Sequence, residues 1–251
     1  MTRIISVNSF RRGAGRSNLA ANLAALLAQT GQRVAIIDDN LQTPSLHILF
    51  GLDEATLSYT FNDYLWGRCS IEQAVYDVTP QLRLNHGGGL FLIPASPKME
   101  EIKRVLRYEY DVNLLDLGCR QLAQSLKLGT LLIDTEHGLN QATMLAVAIA
   151  DVLVLLLRTD QQDYRGTDLT IQVARKLDVP QIVLLVNETP KMFDFTAVKA
   201  RVERAYACEV TAVLPHVEEM MALASSRLFV LHYPDHPLTQ TLKQIAAKVA
   251  P

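Results

Sequence analysis

Gly13 and Gly15 stand one residue apart, with Ser17 two positions further on, and these residues together could hold a phosphate. Glycine lets the backbone take positive φ or approach a ligand closely. A helix that begins at Ser17 points its first N–H groups and its dipole at an anion in the loop. The Ser17 hydroxyl then falls where a phosphate loop places its magnesium ligand, and Arg16 falls where such a loop carries lysine. Asp38 and Asp134 each close a short apolar run, as does the carboxylate that orders Mg²⁺ or its bound water in phosphoryl-transfer sites. Two plainer readings compete. Gly-x-Gly alone marks an ordinary strand-to-helix turn. Asp38, about twenty residues beyond the glycines, also suits a dinucleotide fingerprint, although Asn18 stands where that fingerprint wants a third glycine.

The segments that must position these groups alternate between strand and helix. Ile4, Ile5 and Val7 read as a buried parallel strand, and Leu19, Ala20, Leu23, Ala24 and Leu27 keep one apolar stripe on the helix that follows. Further strands are expected at Arg33–Asp38, Leu90–Ile93, Thr130–Asp134, Asp151–Leu157, Ile182–Val186 and Val210–Leu214. Helices are expected at Lys98–Tyr110, Asn113–Leu128, Met144–Ile149, Tyr164–Leu177 and after Pro237 through Leu238, Leu242, Ile245 and Val249. Residues 56–80 carry Phe61, Tyr64, Leu65, Trp66, Ile71 and Val75 at near-helical spacing and read as a small helical excursion packed on the core. Gly87-Gly88-Gly89 reads as a turn, since a strand and not a helix follows it. The whole is a doubly wound, mostly parallel α/β sheet flanked by helices. Ligands in such sheets bind outside the carboxyl ends of the strands, so Asp38 and Asp134 should face the glycine loop.

The loop Arg11-Arg12-Gly13-Ala14-Gly15-Arg16-Ser17 resembles the deviant Walker A motif of the ParA/MinD family, K-G-G-x-G-K-[ST]. In that resemblance Arg11 falls on the signature lysine that reaches a partner's nucleotide across a dimer. Arg16 falls on the phosphate-binding lysine, and Arg12 replaces a glycine. Asp38-Asp39-Asn40 matches the family's D-x-D with its second carboxylate changed to an amide. Asn40 can orient a water but cannot take its proton; Asp39 reads as a cap of the following turn. Thr43–Leu52 resembles switch I. Asp134 falls on Walker B and Gly138 on switch II, with Glu136 and His137 as departures from the proline-containing versions. Val186-Asn187-Glu188 resembles V-N-[KR], whose Asn recognises adenine, and Pro215 opens the loop that covers the base, with Val217 in it.

The resemblance implies a P-loop nucleotide-binding fold that binds ATP or ADP with Mg²⁺. Nucleotide contacts would come from Gly13, Ala14, Gly15, Arg16, Ser17, Asn18, Gly138, Asn187, Pro215 and Val217. Metal contacts would come from Ser17, Asp38 and Asp134, and Arg11, Arg16, Asp38 and Asn40 would act in catalysis. It further implies an ATP-dependent sandwich homodimer that positions cargo, with an activating partner or cargo protein and a nucleoid or membrane surface as further contacts. Arg16 and Asn40 point to a slow ATPase. The alternative is a nucleotide-gated scaffold that binds without significant hydrolysis.

Composition narrows the field. The chain has 251 residues, 49% of them apolar and 20% charged, and its formal net charge is −2. It is long enough for one large α/β domain, and no linker, charge block or repeat divides residues 1–251. That net charge lacks the general electrostatic footprint of a nucleic-acid binder. Cys69, Cys119 and Cys208 are odd in number and far apart, as expected in a reducing cytoplasm. Without C-x-x-C there is no basis for the paired-cysteine reductases and metal carriers of the same fold class. A glutaminase domain has no residues left to form it, and the tyrosine cluster of bacterial kinases is represented near the C-terminus by Tyr233 alone. No signal pattern and no run of about eighteen apolar residues is present, so a cytoplasmic protein is expected.

Overall fold

Runs of Ile, Val and Leu make the strands of this protein, described here from a computed structural model covering residues 1–80, 82 and 88–250. The strands are β1 (Arg3–Ser9), β2 (Arg33–Asp38), β3 (Tyr76–Asp77), β4 (Gly89–Ile93), β5 (Thr130–Asp134), β6 (Val152–Leu157), β7 (Gln181–Thr189) and β8 (Val210–Pro215). They form one eight-stranded sheet in the order β3-β4-β2-β5-β1-β6-β7-β8. Every pairing is parallel except the short β3–β4 edge. The helices are α1 (Arg16–Gln29), α2 (Leu46–Leu49), α3 (Phe61–Leu65), α4 (Met99–Arg107), α5 (Leu114–Ser125), α6 (Gln141–Ala148), α7 (Gln161–Lys176), α8 (Phe195–Tyr206), α9 (Glu218–Ala222), α10 (Phe229–His232) and α11 (Pro237–Val249). The expected doubly wound sheet is the observed one.

The strands are buried on both faces, and their residues divide by period two between the two layers. Ile5, Val7, Val34, Ile36, Leu132, Val152 and Val154 pack with α1, α10 and α11. Ala35, Ile37, Leu131 and Ile133 face α3, α5 and α6, while Leu153, Leu155, Leu184 and Val186 face α7 and α8. The stripe expected on α1 is wider in the fold. Every residue from Leu19 to Ala28 is buried, because α10 and α11 cover the side turned away from the sheet. Its alanines let these neighbours come close. The one polar residue inside, Asn22, is satisfied by the Asn18 carbonyl at 2.7 Å and by the Val230 N–H at 2.9 Å.

The excursion at residues 56–80 is less helical than its spacing suggests. After α3, a 3₁₀ turn at Ile71–Ala74 leads straight into the edge strand β3. Each of these two turns starts at a hydroxyl residue paired with a polar side chain three positions on, Thr60 with Asp63 and Ser70 with Gln73. Gly87 of the expected glycine turn lies outside the described residues, and Gly89 opens β4. No helix among the described residues is long and apolar enough to cross a membrane.

Register sets the site. Asp38 lies level with Asp134 across β2–β5, and Val7 is level with Asp134 across β1–β5. The glycine loop after β1 and the two carboxylates therefore emerge on one edge of the sheet.

Candidate functional site

The loop between β1 and α1 turns through two left-handed glycines, Gly13 at φ +80° and Gly15 at φ +87°. Gly15 caps α1, and the space beside it is filled: a side chain there would run into the Asn187 carboxamide. Asn187 Nδ2 donates to the Ala14 carbonyl at 2.9 Å, so the residue after the core of β7 braces the glycine loop. Outside the loop lies an open cavity of about 260 Å³ lined by Arg12, Gly13, Arg16, Ser17, Asn40 and Thr43 among others. Gly15 and Asn18 also line a second, narrower cavity of about 90 Å³. Its walls are Leu19, Leu214, Val217, Met220, Leu238 and Leu242, with Asn187, Pro215 and His216 at its polar side. An apolar slot with a few polar groups, sharing Gly15 and Asn18 with an anion cradle, suits a base at one end and phosphates at the other.

The three arginines of the loop part company. Arg12 is exposed at the cavity and has no ion-pair partner among the described residues. Arg11 turns to the start of α7, where Nη1 meets Asp160 Oδ2 at 3.0 Å and Nε meets Asp163 Oδ1 at 3.6 Å. Arg16 goes inward and is only 7% exposed. Its Nε donates to Asp134 Oδ1 at 3.0 Å, and its Nη1 donates to Ser9 Oγ at 3.1 Å.

Buried acids crowd the floor. Asp38 accepts from Asn40 N at 3.2 Å through Oδ1, and from Ser45 N and Leu46 N, both at 3.1 Å, through Oδ2. Burial, then the nearby Asp134, push its carboxyl up to about 7 against the pull of those N–H groups. Asp39 does not cap the turn as its sequence context suggests. It is 3% exposed with Oδ2 unpartnered, and Asp38 does the capping. Burial first, then Asp38, hold Asp39 well above the carboxylate range. Burial also raises Asp134, while Arg16 and the Ser17 hydroxyl oppose the rise. Asn40 is committed to its own turn, donating to the Thr43 carbonyl at 2.8 Å and accepting from Thr43 Oγ1 at 3.0 Å.

Of the residues expected to hold a metal, Asp134 keeps Oδ2 buried and without a partner among the described residues, while its Oδ1 accepts from Arg16. Both Asp38 oxygens already accept from backbone N–H groups, so Asp134 and Ser17 fit a divalent ion better than Asp38 does. Ser17 remains at the cavity wall. Gly138 lies close by at φ +77°, its N–H donating to the Ser9 carbonyl at 3.0 Å. Ser9, Asp160 and Asp163 partner the loop arginines without belonging to any motif legible in the sequence. Only the Asp160-x-x-Asp163 spacing of a helix cap offered a signal: Asp160 accepts from Gln162 N and Asp163 N.

A parallel sheet of this order, with a glycine loop opening a buried helix beside two strand-end carboxylates, defines a P-loop nucleotide-binding fold. Residues 2–180 match the family model described as an AAA domain. The chain is 27% identical over 252 residues to an uncharacterised ATP-binding protein of Methanocaldococcus jannaschii, covering 99% of this chain and 88% of that one. It is 30% identical over 187 residues to the septum site-determining protein MinD of Synechocystis, covering 74% of this chain and 65% of that one. Among solved structures it superposes with a TM-score of 0.80 on the septum site-determining protein MinD of Pyrococcus horikoshii, a structure with Mg-ADP. That likeness holds at 21% identity, over 99% of this chain and 96% of the other. The chain belongs to the ParA/MinD family of P-loop ATPases.

Proposed function

We propose that this chain binds ATP and ADP across these two neighbouring cavities, forms a nucleotide-dependent homodimer and positions a cargo or partner protein, with slow hydrolysis. The observation that carries the reading is that the two cavities share Gly15 and Asn18 in their walls, with Asn187 of the slot braced on the glycine loop. The loop N–H groups and the start of α1 would hold the phosphates, and Arg12 stands exposed at the cavity as a further cation. The base would enter the slot between Leu19, Leu214 and Leu242, where the remaining donor and acceptor capacity of Asn187 matches an adenine edge. Any Mg²⁺ would arrive on the nucleotide's phosphates, with Ser17 as its protein ligand.

Slow turnover follows from the acids. A general base must be free to meet the water it deprotonates. Asp38 is capped by three N–H groups, and Asn40, an amide, is bound into the Thr43 turn. Arg11, half-exposed and held by Asp160 and Asp163, is the side chain we assign to a partner's phosphates; a planar fork grips them bidentately. Calorimetry with ADP tests the site: Gly15→Val should abolish binding while the circular dichroism of the folded chain persists. Unchanged affinity would remove the loop from the site. Size-exclusion chromatography with ATP tests assembly, and a monomer under every nucleotide condition would refute the dimer.

A further inference from the structure

Arg11 and Arg158 converge on the same two acids at the start of α7. Asp160 Oδ2 lies 3.0 Å from Arg11 Nη1 and 3.7 Å from Arg158 Nη2. Asp163 is divided likewise. Its Oδ2 accepts from Arg158 N at 3.0 Å and from Arg158 Nε at 3.3 Å. Its Oδ1 faces Arg11 Nε at 3.6 Å and is buried with no hydrogen bond among the described residues. The acids themselves are fixed: Asp160 Oδ1 caps α7 through Gln162 N and Asp163 N, both at 2.9 Å, and Asp163 is buried. The backbone of Arg11 is fixed too. Ser9 Oγ donates to its carbonyl at 2.9 Å, and the preceding Phe10 ring fills the space beside Gly166, where a side chain would collide with it. What can turn is the Arg11 side chain, which is 37% exposed. We propose that Asp160 and Asp163 park Arg11 in the single chain, and that Arg158 takes over both carboxylates when Arg11 leaves for a partner's phosphates, so that this exchange sets the threshold for dimer formation.

The inference rests on the homodimer of the proposed function and deepens it. Removing the only cation from a buried acid is costly, because the acid is left unpaired. Arg158 removes that obstacle: it already holds one oxygen of Asp163 and lies within ion-pair reach of Asp160. A small turn of its side chain keeps both acids paired. The contact it gives up, Glu188 Oε2 at 3.9 Å, is its longest. The parked state is itself weak, since the Arg11 and Asp160 side chains are both well exposed and such ion pairs contribute little. A polyphosphate that a guanidinium grips bidentately outcompetes a carboxylate shared between two arginines. Parking of that strength delays dimerisation without preventing it. An arginine at position 11 suits the task, because Nη1 and Nε address the two acids separately, where an ammonium would make one point contact.

The test is sedimentation velocity of the full chain with a saturating non-hydrolysable ATP analogue and Mg²⁺, for wild type, Asp160→Asn and Arg158→Gln. Asparagine keeps the cap of α7 and glutamine keeps an N–H donor beside Asp163, so circular dichroism should match wild type. Asp160→Asn should tighten the dimer by about threefold to fivefold, the worth of a half-exposed ion pair. Arg158→Gln should loosen it by a similar factor, because Arg11 is then the only cation at both acids. Calorimetric affinity for ADP should stay within about twofold of wild type in both variants, since neither side chain lines the nucleotide cavities. Opposite shifts are the signature, because a loss of packing would move both variants the same way. Dimer constants that are unchanged, or that shift in the same direction, would overturn the inference and leave the dimer standing. A weaker dimer with Asp160→Asn would overturn it too and place Asp160 across the interface. A wild-type monomer under every nucleotide condition would overturn the homodimer reading and this inference with it.

Discussion

The two ends of the cleft share Gly15 and Asn18, yet they are built on opposite terms. The slot end is apolar: Asn187 and Pro215 line it among Leu19, Leu214, Leu238 and Leu242. The glycine-loop end turns through left-handed glycines at 13 and 15, and its side chains differ from those of the motif it resembles. Arginines stand where that motif has lysines, and an amide stands where it has a second carboxylate. One exchanged side chain is turned inward to an acid, and another is spent on α7. The contrast teaches that a loop set by backbone conformation tolerates an exchange of its side chains, whereas the charge arrangement around it does not. Backbone donors depend on φ and on helix position, and side-chain charges depend on the nearest buried partner.

The strongest test of that contrast is stability. Arg16→Ala should destabilise the fold by about 3–5 kcal/mol in urea denaturation, because it strands a buried carboxylate. Arg16→Met combined with Asp134→Leu should cost less than the single change. A cost below about 1 kcal/mol for Arg16→Ala would place the pair among weak, solvent-screened bridges.

Turnover sharpens it next. Arg16→Lys with Asn40→Asp should hydrolyse ATP roughly a hundredfold faster than wild type, since small misplacements of reacting groups cost about that factor. Each single change should recover little, because the groups act in one site. Brisk wild-type hydrolysis, equal to that of the double variant, would show that the exchanged phosphate end is catalytically competent as it stands.

At the slot end a smaller effect is expected. Asn187→Ala removes one brace on the glycine loop and the base contact we propose, so ADP affinity should fall by about threefold to tenfold, the range for one neutral hydrogen bond. Selectivity for ATP over GTP should narrow with it. A loss beyond a hundredfold would mean that Asn187 holds the loop itself in shape.

The smallest is a pH effect. Asp38 titrates at about 7 in the folded chain and near the ordinary 3.8 when unfolded. The folded state then holds a proton that the unfolded state has lost, so this contribution is fully present below the unfolded value and disappears as pH rises through 7. Unfolding free energy measured from about pH 5 to about pH 8 should fall for wild type relative to Asp38→Asn. A flat difference would show that Asp38 stays ionised beside Asp134.

Much of this was written in local pattern. The β-branched and leucine runs that end in Asp38, Asp134 and Asn187 set the strands, and parallel strands align their carboxyl ends, so a glycine loop and two acids had to share one edge. The excursion at residues 56–80 was less legible: aromatic spacing looks helical, but edge pairing with β4 drew Tyr76–Asp77 into a strand. Asp39 reads locally as a cap, and only packing showed that its neighbour Asp38 takes that work.

By itself the sequence determined the backbone of the site, because strand propensity, glycine φ and helix dipoles act within a few residues of one another. Tertiary structure alone decided where the charges go. Arg16 meets Asp134 across 118 positions of chain, Arg11 meets Asp160 across 149, and Asn187 meets Ala14 across 173. No local pattern encodes such distances. A buried charge goes to whichever opposite charge the fold brings within reach, since leaving it unpaired costs more than any local preference gains.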